Sequence, residues 1–199
     1  MTYITSLVKT ATPGNVSGFS PNPRGEIDDS LAGRACDSHR EGMRVEPHHY
    51  EDFHLGAEYK TGERTIDDAS IRAFSDLSGD FNPLHLDDDY AASTAYKGRI
   101  AHGILGLAVA TGLVAETHLT RGTLVAFVRL DWDFRAPLRP GDRVTAHLRV
   151  DETRRTSRSD RGLVRLAVQL ADQRGEIVQE GSWTFLVNCR HAGGNDTVS

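Results

Sequence analysis

From Leu124 to Phe134 every even position is apolar, namely Leu124, Ala126, Val128, Leu130, Trp132 and Phe134, while Arg129, Asp131, Asp133 and Arg135 hold odd positions. This period of two predicts a strand with one buried face. The alternation returns in Val144, Ala146, Leu148 and Val150, in Val164, Leu166, Val168 and Leu170, and in Trp183, Phe185 and Val187 of the stretch from Ile177. Turn residues punctuate the series at Pro137-Leu138-Arg139-Pro140-Gly141-Asp142 and at Gln173-Arg174-Gly175. Upstream, Ile104, Leu105, Leu107, Ala108, Val109 and Leu113 make the segment Ile104 to Leu119 apolar almost all round in its first turns, the pattern of a buried helix.

Before that helix, Glu58 to Ile66 reads as a first strand. Ile71, Phe74 and Leu77 recur at spacings of three, which predicts a short helix capped by Asp67 or Asp68 and ended by Gly79. Asp87 caps a further helix that runs through Tyr90 and stops before Gly98. Four strands in succession, each a neighbour in sequence, predict an antiparallel sheet, and a buried helix ahead of it makes the class α+β.

The first 46 residues break both patterns. Between Thr10 and Glu46 the chain is rich in Gly, Pro, Ser, Asn, Asp and Arg, as in Ser20-Pro21-Asn22-Pro23-Arg24-Gly25. Such a segment has too little apolar surface to offset its ordering entropy and is expected to be disordered. One domain over residues 47–190 and a flexible tail over 191–199 complete the organisation, with Met43 open as an alternative start. The 199 residues suffice for one core. A net charge of −5 without a basic stripe argues against nucleic acid as a partner. Cys36 and Cys189 form neither a disulfide framework nor a metal-ligand spacing. No run approaches the ~18 apolar residues of a membrane span, so a soluble cytoplasmic protein without a membrane partner is expected.

The candidate chemistry lies in Ser78-Gly79-Asp80-Phe81-Asn82-Pro83-Leu84-His85 and in Ala101-His102-Gly103. Asn82-Pro83 cannot continue a helix, so Asp80 and His85 are held close together by a bend. A carboxylate and an imidazole so placed make a general acid/base pair, which adding or removing water beside a carbonyl requires. The amide of Gly103, at a helix start, is a candidate oxyanion donor. Asn82 reads as a residue that orients the loop and Asp87 as a cap. His102 either contacts substrate or satisfies a buried carbonyl, and Thr111 reads as core packing rather than a polar contact. His48, His49 and His54 lack a carboxylate or cysteine at ligand spacing, so no metal is expected. Arg154, Arg155, Arg158 and Arg161 gather on a hairpin, where either carrier binding or a solvated tip explains them.

The pattern Phe74-x-x-x-Ser78-Gly79-Asp80-x-Asn82-Pro83-Leu84-His85-x-Asp87, with Gly98-Arg99-Ile100-Ala101-His102-Gly103 downstream, resembles the MaoC-like dehydratases and (R)-specific enoyl-CoA hydratases. The resemblance implies a hot-dog fold over roughly residues 50 to 190, in which the sheet wraps round a central helix. It also implies a catalytic dyad at Asp80 and His85, a thioester carbonyl polarised by Gly103, no bound cofactor, and a homodimer. The implied reaction is reversible hydration of a trans-2-enoyl thioester of coenzyme A or a carrier protein, giving the (R)-3-hydroxyacyl product. A hot-dog thioesterase and a non-catalytic acyl-thioester binding module are the alternatives.

Overall fold

Asp67 accepts a hydrogen bond from the Ser70 amide at 2.8 Å and so starts helix α1, Asp68–Ser78, which Gly79 ends in the left-handed conformation with φ 76°. The computed structural model describes residues 46–190. The expectations for residues 1–45, including Cys36 and the alternative start at Met43, and for the tail 191–199 lie outside the described residues. A 3₁₀ turn, Tyr50–Asp52, precedes strand β1, Glu58–Thr65. After α1 come α2, Pro83–Leu86; α3, Asp88–Ser93; and α4, Gly103–Glu116. Four strands then follow: β2, Leu124–Phe134; β3, Arg143–Arg155; β4, Arg161–Asp172; and β5, Ile177–Asn188.

The strands form one antiparallel sheet in the order β1-β3-β4-β5-β2. Only β3-β4 and β4-β5 are hairpins. β2 does not pair with β3, its successor in sequence, but crosses to the far edge and pairs with β5. The crossing segment is anchored by Leu138, which is buried and accepts from the Ala101 amide at 2.7 Å.

Helix α4 packs against β1 and β3. The predicted inward faces of β3 and β4 are buried, as are Trp183, Phe185 and Val187 of β5. Each fully buried aliphatic side chain here is worth about 1.5–3 kcal/mol relative to exposure. Gly106 lets α4 approach the sheet, because a Cβ there would lie 2.3 Å from Nε2 of Gln179 and 2.8 Å from Leu138. Among the described residues no helix is long and apolar enough to cross a membrane.

Three expectations about buried faces are corrected. The apolar face of β2 is not buried among the described residues. Leu124, Val128, Leu130 and Phe134 are exposed, because β2 lies at the edge opposite β1 while α4 covers β1 and β3. Helix α4 is not buried all round either, since Ile104, Ala108, Thr111 and Ala115 form an exposed stripe. In α1, Leu77 is 85% exposed, and Ser75 takes the inward position with Ile71 and Phe74. Strict spacing by three drifts off a helix face, and position 75 is the one that returns to it.

Candidate active site

The loop after α1 is built from side-chain-to-backbone bonds. Oδ1 of Asp80 accepts from the Asn82 amide at 3.2 Å, and Oδ1 of Asn82 accepts from the Leu84 amide at 3.0 Å. Asn82 is thus the N-cap of α2, with Pro83 at its first position. α1 has already ended at Gly79, and Asn82-Pro83 starts a new helical turn, so His85 stands on α2 rather than on an open loop. Asp87 closes this turn and caps α3 by accepting from the Tyr90 amide at 2.9 Å.

His85 is buried, and its Nδ1 lies 2.8 Å from the Ile100 carbonyl. A carbonyl only accepts, so Nδ1 carries the proton and Nε2 holds the free lone pair. Ile100 is held in turn by its neighbour Arg99, whose guanidinium bonds to Asp68 and Asp88 at 2.7 Å each. The hydrogen bonds to Asp68 and then to Asp88 push the Arg99 guanidinium further above its ordinary value. The Asp80 carboxylate is exposed.

His102 precedes α4 and is buried beside this pair. Its Nε2 lies 3.0 Å from the Asp80 carbonyl and 3.3 Å from Oγ of Ser75, and its ring stacks on His85 with centroids 3.8 Å apart. Ligand-type atoms of Asp80, His85 and His102 lie within 4.8 Å of one another. His102 has its Nε2 proton engaged and its Nδ1 enclosed, whereas Asp80 and His85 Nε2 remain open to chemistry. A separation of that size is one that a single water bridges, at ~2.8 Å from each side.

Gly103 begins α4, and its N–H has no acceptor within the helix. Phe134 packs against it so closely that a Cβ would lie 2.9 Å from the ring, so any other residue here requires that ring to move. A cavity of about 360 Å³ opens here, bordered by Tyr96, Ile100, Gly103, Phe134 and Leu138. The sequence reading missed Gln179 of β5. Gln179 is buried, donates from Nε2 to the Gly103 carbonyl at 3.1 Å, and accepts from Trp132 Nε1 at 3.0 Å. Its signal was a polar residue on the same strand face as Trp183 and Phe185.

Other candidates fall away from the site. Thr111 is exposed and donates to the Ala108 carbonyl of its own helix, so it is not core packing. His48 bonds to the Glu46 carbonyl and packs on Phe53 and Tyr59. On the arginine hairpin, Arg155 pairs with Glu51, and Arg158 and Arg161 pair with Asp160.

The profile of the MaoC-like domain matches residues 52–171. The chain is 38% identical over 105 residues to an (R)-specific enoyl-CoA hydratase of Rhodospirillum rubrum, covering 52% of this chain and 69% of that protein. It is 34% identical over 113 residues to the (R)-specific enoyl-CoA hydratase of Aeromonas caviae, covering 57% and 80%. A Mycobacterium tuberculosis protein with a double hot-dog fold superposes with a TM-score of 0.67 at 21% identity, over 76% of this chain and 47% of that one. That last likeness is one of fold, and this domain has the hot-dog fold. With a matched profile that includes α1, the Asp80–His85 segment, α4 and most of the sheet, the chain belongs to the MaoC-like domain family.

Proposed function

We propose that this protein is a hydro-lyase that adds water reversibly to a trans-2-enoyl thioester and gives the (R)-3-hydroxyacyl thioester. The observation that carries this reading is the closeness, within 4.8 Å, of the Asp80 carboxylate to the imidazole of His85, whose Nδ1 is engaged by the Ile100 carbonyl, beside a helix start whose first amide belongs to Gly103. A water between the two side chains would lose a proton as its oxygen attacks C3. Negative charge then grows on the thioester oxygen, where the Gly103 N–H and the helix dipole stabilise it. The pair returns one proton to C2, so water is added as OH at C3 and H at C2 and the side chains regain their starting state. No step needs a bound cofactor. Asn82 shapes the loop through the Leu84 amide rather than handling protons.

The same reading includes a homodimer. Among the described residues strand β2 has a neighbour on one side only, and Leu124, Val125, Phe127, Val128, Leu130 and Phe134 on it are exposed. An unpaired edge with apolar side chains is a template for another strand, and a second copy satisfies it. The thioester is that of coenzyme A or of a carrier protein; the hairpin arginines support neither in particular, because three of the four already pair with the carboxylates of Glu51 and Asp160.

The test follows crotonyl-CoA by its enoyl absorbance together with free thiol, and resolves the product on a chiral column. Loss of absorbance without thiol, yielding the (R) product, is the expected result. Thiol release marks a thioesterase, and an unchanged substrate marks a binding module.

A further inference from the structure

We propose that His102 is a positioning residue for Asp80 and His85, and that Ser75 holds it in that role; the proposal rests on the hydration reading above. His102 and Ser75 are 3% and 1% exposed, and neither enters the proton transfers of that reading. Each contact of the His102 side chain leads to an element of the site. Nε2–H donates to the carbonyl of Asp80, so the imidazole pulls the backbone that bears the carboxylate. The same N–H faces Oγ of Ser75, whose hydroxyl donates to the Ile71 carbonyl at 3.2 Å and therefore offers a lone pair to the histidine. The ring stacks on His85 at 3.8 Å and 34°, and packs on Phe74 at 5.0 Å. Its backbone carbonyl accepts from Leu105 at 3.0 Å and so forms the first bond of α4.

One residue thus joins α1, the Asp80 backbone, the His85 ring and the helix start at Gly103. The two acceptors fix its tautomer, with the proton on Nε2. The other nitrogen, Nδ1, is enclosed and has no hydrogen-bond partner, so no face of the ring is offered to a reacting atom. What remains is geometry. The carboxylate, the imidazole and the oxyanion donor must keep their distances to within a fraction of an ångström, and His102 is the link between all three.

Two variants separate the donor from the ring. His102→Phe keeps an aromatic ring of similar size and loses the N–H, whereas His102→Gln keeps an N–H where Nε2 stood and loses the ring. We expect His102→Phe to lower kcat on crotonyl-CoA about 10- to 100-fold with little change in KM, the usual penalty of a small misplacement of reacting groups. His102→Gln should recover most of that loss, and Ser75→Ala should give a milder decrease of the same kind. Hydrogen exchange over residues 79–86 should rise in His102→Phe and Ser75→Ala and stay at the wild-type level in His102→Gln. A His102→Phe protein with wild-type kcat, or a His102→Gln protein as slow as His102→Phe, overturns the proposal. If His102→Phe does not fold, Ser75→Ala decides, and unchanged kcat and exchange in that variant also overturn it. Absence of hydration by the wild-type chain would refute the functional reading alone, since the exchange measurement reports the positioning without turnover.

Discussion

The Nδ1–H of His85 donates to the carbonyl of Ile100 at 2.8 Å, which leaves the lone pair of Nε2 free on an imidazole that has a ring nitrogen within 4.8 Å of a carboxylate oxygen of Asp80. The orientation of the imidazole is thus set by a backbone atom distant in sequence, on the segment that leads into α4.

Replacing Asp80 with Asn or His85 with Ala is expected to lower hydration by about two to four orders of magnitude, the usual worth of a positioned acid or base. Both variants should melt near the wild-type temperature. Since the two groups act on one water, the losses should not add, and the double variant should resemble the slower single one. Near-wild-type turnover in both single variants would remove the dyad from the mechanism.

Arg99 is expected to support this pair at a distance. Its largely buried side chain binds Asp68 of α1 and Asp88 of α3, and the next residue, Ile100, orients His85. Arg99→Ala should therefore lower kcat by roughly 10-fold or more while the protein stays folded. Arg99→Lys should not restore it, because a point charge cannot reproduce the planar fork that reaches two carboxylates. Full activity in Arg99→Lys would show that charge alone is needed.

Much of this was legible from residues, and the limits have physical causes. The period-two runs gave β3, β4 and β5 with their buried faces, and Asp67 or Asp68, Gly79 and Asp87 marked helix ends because capping is local chemistry, the structure choosing Asp67 of the first two. The face of β2 was misjudged because alternation shows which side is apolar and says nothing of what covers it. The partner of β2 was equally hidden, since pairing with β5 depends on the crossover through Leu138. At the site, spacing alone suggested Asp80, His85 and Gly103 as candidates. It could not suggest Ser75, Arg99 and Gln179, because their partners are brought near by tertiary packing.

Gln179 illustrates the consequence. Its amide joins the Gly103 carbonyl to the indole of Trp132. Gln179→Leu keeps the volume but takes the acceptor from the half-buried Trp132 indole N–H and a donor from the Gly103 carbonyl, which should cost about 1–3 kcal/mol in all. Thermal melts measure that loss, and a shift in tryptophan emission reports the freed indole. An unchanged melting temperature would mean that water replaces the amide at no cost.

The β2 edge gives a separate test. A charge placed among its exposed apolar residues, as in Leu130→Lys or Val128→Lys, should weaken self-association, because desolvating an unpaired ammonium at an interface is unfavourable. Sedimentation velocity should find a dimer for the wild type and a monomer for the variants. A monomeric wild type would leave the exposed strand for another partner.

The last expectation concerns the start of α1 and acid. The hydroxyl of Ser70, and then its amide, hold the Asp67 carboxyl below its ordinary value. A carboxyl whose value is lower in the folded chain than in the unfolded one contributes its stability fully above the unfolded value, about pH 4, and loses it as the pH falls through the folded value. At pH 7 Asp67→Ala should therefore be less stable than wild type by about 1 kcal/mol, the ordinary worth of an N-cap. Because protonation weakens the wild-type cap and cannot affect alanine, the difference should shrink steadily below about pH 4. Denaturant melts of both proteins between pH 7 and pH 3 measure it. A gap that stays constant over that range would show that the carboxyl charge plays no part in capping, and that shape alone fixes the helix that leads into the Asp80 segment.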